Sequence, residues 1–291
     1  MAKQAIGNDI ITQKNTTTSM TTAKDIIEYM ETLRNAEQRQ VLMRFFKTGQ
    51  GQYGEGDEFL GLKVPQTREV VRAVAKEVSP EEVRLLMMSK WHEVRLCALL
   101  ILVDRFERLA TKRLRLDERA MQGRDEILEM YLRHADRANN WDLVDLSAPK
   151  ILGAWLTLPS MLPDGKAGLH REYKTSVLDN LASTASDGNS AGSLWKQRIS
   201  MVCTLATSQQ GDPSWCLRYA ERHLHHPHDL MHKAVGWMLR EMGKRCDMDT
   251  LRDFLRRHAA EMPRTTLRYA IEKMSDEERQ TWMNVGRCRI G

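Results

Sequence analysis

Three segments decide how this chain folds: LWKQRISMVCTLATS (Leu194–Ser208), DLMHKAVGWMLREMG (Asp229–Gly243) and TTLRYAIEKM (Thr265–Met274). In each, a basic residue precedes a run of apolar residues at helical spacing, and these bases, Arg198, Lys233 and Arg268, stand 35 residues apart. Such a period is the length of one helix pair with its turns. Two upstream segments take the same register. HEVRLCALLILVDRF (His92–Phe106) carries Arg95 at the matching position, and NNWDLVDLSAPKILGAWL (Asn139–Leu156) carries Asp145 where the others have a base. Steps of 50 and 53 residues on either side of Asp145 fit longer loops and an insertion. Stacked pairs bury their apolar faces against one another and align equivalent positions along one concave surface. The expectation is an all-α helical-repeat solenoid with a basic stripe interrupted by one carboxylate.

The apolar periodicity, as in Val94, Cys97, Ala98, Ile101 and Leu102, extends over most of the chain. It predicts helices near 23–34, 36–47, 65–77, 80–88, 91–109, 116–134, 139–157, 193–208, 213–224, 228–245, 247–258, 264–274 and 275–284. No stretch alternates as a strand should. The pattern breaks at a glycine-rich loop, TGQGQYGEGDEFLGLKV (48–64), and over 159–192, where Ser, Gly and Asp suggest an irregular excursion. Residues 1–22 read as a flexible, solvated tail, and 23–286 as a single helical-repeat domain.

Composition narrows the class of function. Hydrophobic residues make up 42% of the 291, enough for a substantial core. The longest uninterrupted apolar run, Leu96–Val103, is eight residues, too short for a membrane span. The N-terminal segment lacks the apolar core and cleavage site of a secretory signal. Five widely spaced cysteines without a CxxC pair argue against a disulfide framework or a zinc site, and suit a reducing cytoplasm. The net charge of +5 is localised: from Trp195 onward there are 17 Lys and Arg against 12 Asp and Glu, leaving 27 of each sign before it. Six of the nine histidines lie in the same third. A localised basic bias is compatible with a polyanionic partner, although charge runs are often only a solvated face.

A lone carboxylate among cations and indoles is the combination with chemical content. Asp145 follows Trp141 by four residues, Trp237 follows Lys233 by four, and Arg198 follows Trp195 by three, so each pair shares a helix face. Indole faces and a carboxylate both stabilise a cationic centre. Taken singly, these tryptophans read as core, Asp145 as a surface ion-pair partner and Arg198 as a solvated charge. His228-Asp229-Leu230-Met231-His232 spaces two histidines as on a zinc-protease helix, but Asp stands where Glu is required and no third ligand follows. The glycines of GQGQYGEG are not followed by the Lys-Ser/Thr of a phosphate loop, so nucleotide binding finds no support.

Several motifs together resemble the AlkD-type DNA alkylation repair glycosylases, a family with HEAT-like repeats. These are Trp141-Asp142-Leu143-Val144-Asp145, Leu194-Trp195-Lys196-Gln197-Arg198 and Lys233-Ala234-Val235-Gly236-Trp237. Phe59–Pro65 is similar to that family's N-terminal loop, and Met262–Tyr269 to its last repeat; the likeness runs from about 25 to 284. The resemblance implies a HEAT-like solenoid with a concave DNA-binding groove. It implies that Trp141 and Trp237 pack against the lesion's deoxyribose, that Asp145 is the catalytic carboxylate and that Arg198 grips a nearby phosphate. Arg68, Lys233, Arg264 and Arg268 become expected backbone contacts. The long excursion at 159–192 and the extended tail depart from the family pattern.

The implied activity is excision of N-alkylated, cationic purines such as 3-methyladenine and 7-methylguanine from double-stranded DNA, by a cytoplasmic monomer without metal or cofactor. Most enzymes that act on bases extrude them; the resemblance implies instead a lesion held in a distorted duplex. Two alternatives come from other classes. A non-catalytic DNA-binding paralogue would be expected to lack the Asp or a Trp. A HEAT-type protein-interaction scaffold would show an apolar or acidic concave face.

Overall fold

The structure, a computed structural model, describes residues 20–162, 164–183 and 190–285. All but the last three residues of the expected tail, and Gly286 at the expected domain end, lie outside these. Helices follow the sequence periodicity: α1 (Ala23–Thr32), α2 (Ala36–Phe45), α3 (Val64–Val74), α4 (Pro80–Met87), α5 (His92–Leu109) and α6 (Glu118–Arg133). The helix expected over 139–157 forms as α7 (Trp141–Ser147), a π-helical turn (Pro149–Gly153) and α8 (Ala154–Thr157). Then come α9 (Arg171–Ala182), α10 (Ser190–Val202), α11 (Thr204–Gln209), α12 (Ser214–Arg222), α13 (Asp229–Arg245), α14 (Met248–His258), α15 (Arg264–Ala270) and α16 (Asp276–Asn284).

Local chemistry fixes where these helices begin. The side chains of Asn35, Ser79 and Asp117 accept the backbone N–H groups of Gln38, Glu82 and Ala120, satisfying donors that the first turn leaves free. Asn140 does the same for Trp141 at the start of α7. Within that helix, Pro149 has no N–H to give to the carbonyl of Asp145. The helix widens there into a π turn, with Gly153 N–H donating to Ala148 O at 2.9 Å. A Cβ on Gly153 would lie 2.3 Å from the carbonyl of Cys203, so the glycine lets this helix approach the α10–α11 junction closely.

Helices pack as pairs, α4 with α5, α9 with α10, and α12 with α13. The second members form a row in which α5 touches α7, α7 touches α10, α10 touches α13 and α13 touches α15. The fold is all-α with helical repeats, as the 35-residue register requires. α5 sits deepest: Val94, Cys97, Ala98, Ile101 and Leu102 are buried with nearly all their neighbours.

Two expectations need correction. The excursion at 159–192 is not irregular throughout. It contains an antiparallel pair, β1 (Ser160–Met161) and β2 (Ala167–Gly168), followed by α9; residues 184–189 lie outside the described part. α9 buries Lys174, Leu178, Leu181 and Ala182, a one-sided pattern masked in sequence by the Ser- and Gly-rich stretch that follows. Nor do all the aligned bases form an exposed stripe. Arg95 and Arg198 are buried, each bound to a carboxylate, whereas Lys233 is half-buried and Arg268 exposed.

Candidate active site

α7 presents Trp141 and Asp145 one turn apart, and α10 brings Arg198 across from the next repeat. The guanidinium grips the carboxylate with two nitrogens, Nε to Oδ1 at 3.0 Å and Nη2 to Oδ2 at 2.8 Å. Its Nη1 donates to Leu230 O at 2.6 Å, tying the pair to the start of α13. The Asp145 side chain retains 17% of its exposure and Arg198 only 5%, so the carboxylate is the accessible member. Burial raises the pKa of Asp145, the Arg198 charge and hydrogen bonds oppose that rise, and the neighbouring Asp142 adds to it.

Trp141 is half-buried, with the Phe46 ring stacked on it at 5.3 Å and Phe45 edge-on at 5.7 Å. Phe45 is 59% exposed, unusual for so large an apolar side chain, and extends the aromatic surface outward from Trp141. Trp237 lies half-buried on α13. Gly236 beside it is required for space: a Cβ there would fall 2.5 Å from Thr266 O and from Tyr269 Cβ. The glycine thereby lets α15 close on α13, which brings Tyr269 near Lys233; Tyr53, from the glycine-rich loop, also lies near Lys233.

The expected backbone contacts differ in freedom. Lys233 pairs with Asp229 one turn earlier, 2.7 Å away, and is 41% exposed. Arg264 donates to Met283 O at 2.5 Å. Among the described residues Arg268 makes a single side-chain hydrogen bond, to Arg264 O at 3.3 Å, and it is exposed. Arg68, half-buried on α3, makes no hydrogen bond or ion pair among the described residues. The structure thus brings Trp141, Asp145 and Arg198 together, sets Lys233 and Trp237 one turn apart on the next helix of the row, and leaves Arg68 apart in the N-terminal part of the chain.

Sequence reading missed Phe45, Phe46 and Tyr53. The available signals were a Phe-Phe pair at a helix end and a lone tyrosine among glycines. The Tyr53 ring meets Trp195 edge-on at 6.2 Å, so the glycine-rich loop reaches from α2 to α10. The His-x-x-x-His spacing has a structural use. His228 caps α13, accepting from Leu230 N–H at 3.1 Å, and His232 pairs with the carbonyl of His226. No three His, Cys, Asp or Glu side chains are grouped to hold a metal ion among the described residues, and no described helix is long and apolar enough to cross a membrane.

The family model described as "DNA alkylation repair enzyme" matches residues 26–274. No curated protein matches the chain. A solved structure described as a predicted DNA alkylation repair enzyme from Enterococcus faecalis superposes with a TM-score of 0.56 at 13% identity, covering 84% of this chain and 97% of that one. At that identity the likeness is one of fold.

Proposed function

Because the chain belongs to the DNA alkylation repair enzyme family, whose role is repair and whose partner is DNA, we propose that it is a DNA N-glycosylase centred on Asp145. Its substrates are N-alkylated, cationic purines such as 3-methyladenine and 7-methylguanine in duplex DNA, and it acts as a cytoplasmic monomer. The observation that carries this reading is the accessible carboxylate of Asp145, gripped by Arg198 one turn from Trp141.

The chemistry follows from charge. Alkylation at N3 of adenine or N7 of guanine makes the base cationic, so the C1′–N bond breaks with its electron pair leaving on the base, which becomes neutral. Positive charge then develops on the deoxyribose. Asp145, whose rise in pKa on burial is opposed by the charge and hydrogen bonds of Arg198, stabilises that charge. It orients a water that adds to C1′ and accepts the proton released, as carboxylates do in glycoside hydrolysis. Trp141 and Trp237 offer indole faces to the same cationic sugar.

Arg198 has a double task. Three of its five N–H donors are taken by Asp145 and Leu230, and the two others remain for a phosphate beside the lesion. Lys233, Arg264 and Arg268 supply sequence-independent backbone contacts along the row, and Arg68 supplies another from α3, outside it. The test is incubation of the protein with duplex DNA containing one 7-methylguanine, followed by alkaline cleavage and sizing of the strand. Release of the base by the parent, and markedly slower release by Asp145→Asn, supports the reading. Binding without release by the parent would move the protein to the non-catalytic, DNA-binding class.

A further inference from the structure

Resting on that reading of the site, we propose that the glycine-rich loop between α2 and α3 is a clasp delivering Tyr53 to the wall of the reaction centre, and that His92 is the positioning residue locking it to the helix of Trp141 and Asp145. Neither residue belongs to the Asp145–Arg198 pair itself. The connection between them runs through a buried charge cluster that the chemistry at Asp145 does not use.

His92 is the first residue of α5, and its ring bridges two carboxylates. Nδ1 lies 2.8 Å from Asp57 of the loop and Nε2 lies 2.9 Å from Asp142 of α7. A neutral imidazole has one N–H and one bare nitrogen. With an ionised acceptor at each end, only the doubly protonated ring serves both contacts. Arg95, one turn on, binds the other oxygen of Asp57, and Asn140 Nδ2 approaches Asp57 at 3.4 Å. The cluster therefore joins two cations to two carboxylates, and all four side chains are buried.

Adjacent contacts grip the loop at both of its ends. Glu93 accepts the N–H groups of Leu60, Gly61 and Leu62 at 2.9, 2.8 and 3.0 Å, and His92 N–H donates to Glu58 O at 2.8 Å. At the other end Gly54 N–H bonds Lys47 O at 3.1 Å, and a Cβ on Gly54 would meet Phe46 O at 2.4 Å and Asn140 Nδ2 at 3.3 Å. The loop thus lies directly on the cap of α7. The aromatic rings continue the same path: His92 stacks on Phe59 at 4.4 Å, Phe59 on Phe46 at 5.2 Å, and Phe46 on Trp141. From this seat Tyr53 projects to Trp195, one turn before Arg198, and to the neighbourhood of Lys233.

The experiment uses the full chain and two readouts, amide exchange and single-turnover excision of 7-methylguanine. His92→Gln, which keeps one donor but loses the second, should speed exchange of the loop amides of 49–57 about tenfold while leaving those of α13 and α14 unchanged. The same variant should lose roughly tenfold or more in the excision step, with its affinity for unmodified duplex intact. Tyr53→Ala should lose excision to a similar degree with loop exchange unaltered, and Tyr53→Phe should keep the parental rate. If His92→Gln does not fold, Asp57→Asn weakens the same bridge and is read identically. Parental loop exchange in the folded bridge variant, or parental excision by Tyr53→Ala, overturns the proposal. A parent that excises nothing removes the reading of the site and Tyr53's role with it, and the exchange result then decides the clasp alone.

Discussion

Arg198 meets Asp145 through two parallel hydrogen bonds of 3.0 and 2.8 Å, and this one contact joins two successive repeats at the row's midpoint. Paired this way, a carboxylate set in low-dielectric surroundings keeps its charge, and a guanidinium that would otherwise be unpaired is neutralised. The pair thus links packing and chemistry: the contact that holds α7 to α10 also prepares Asp145 for a cationic transition state.

Asp145→Asn separates the two roles. Losing the preorganised negative charge should slow excision by about 10- to 1,000-fold, the range lost on deleting one electrostatic group. The loss should be incomplete, because the alkylated base is already a cationic leaving group. Affinity for duplex should stay level or rise, since Arg198 is released from its counter-ion toward the phosphates. Single-turnover rates and fluorescence anisotropy on one preparation check both; a parental excision rate would remove Asp145 from the mechanism.

Arg198→Gln should expose the opposing influences on Asp145. Burial already raises that pKa, and Arg198 is what restrains the rise. Without the guanidinium the pKa should climb further, so the ionised, active fraction should shrink at neutral pH and recover on the alkaline side. The pH–rate profile should shift upward relative to the parent, beyond any uniform loss of rate. An unshifted profile would mean that Arg198 does not control the charge on Asp145.

What was legible in the sequence follows from the range of each interaction. The 35-residue register and the 3.6-residue period are local, and they led to the paired helices. The Trp141–Asp145 pairing is likewise one helical turn. The contacts that assemble the site are not local. Asp145 and Arg198 are 53 residues apart, so each taken singly reads as a surface charge, and His92 lies 35 residues from Asp57 and 50 from Asp142, beyond the reach of any local pattern. α9 escaped for another reason. Its apolar face is narrow, and one of its buried members, Lys174, satisfies its ammonium with the carbonyls of Trp155 and Leu158, which no polarity pattern reveals.

Arg268→Ala tests the sequence-independent contribution to DNA binding. The side chain is exposed and free of any acidic partner among the described residues, so its loss should leave stability within about 0.5 kcal/mol of the parent. Binding to alkylated and unmodified duplexes should weaken to the same degree. The slope of log affinity against log salt should shrink by roughly one unit, as expected for one lost phosphate contact. Titrations at three salt concentrations check this, and an unchanged slope would place Arg268 off the DNA.

The buried imidazolium should write itself into the alkaline stability of the protein. Burial alone pushes the pKa of His92 down, but the charges and hydrogen bonds of Asp142 and Asp57 outweigh it and raise the value from 6.5 to about 9. A folded-state pKa above the unfolded one contributes stability that is complete below pH 6.5 and disappears as pH rises through 9; here that amounts to roughly 3 kcal/mol. The parent alone will not display it cleanly. Lys174, buried on α9, has its pKa lowered by burial from 10.5 to about 8. Its penalty is present below pH 8 and vanishes toward 10.5, so its slope has the opposite sign over an overlapping range. The quantity to measure is the difference in urea unfolding free energy between the parent and His92→Gln at pH 6, 8 and 10, in which the Lys174 contribution cancels. That difference should be largest at pH 6 and shrink steadily toward pH 10. A difference constant across the series would mean that His92 is neutral in the folded protein, and that the bridge between Asp57 and Asp142 is held by something other than its charge.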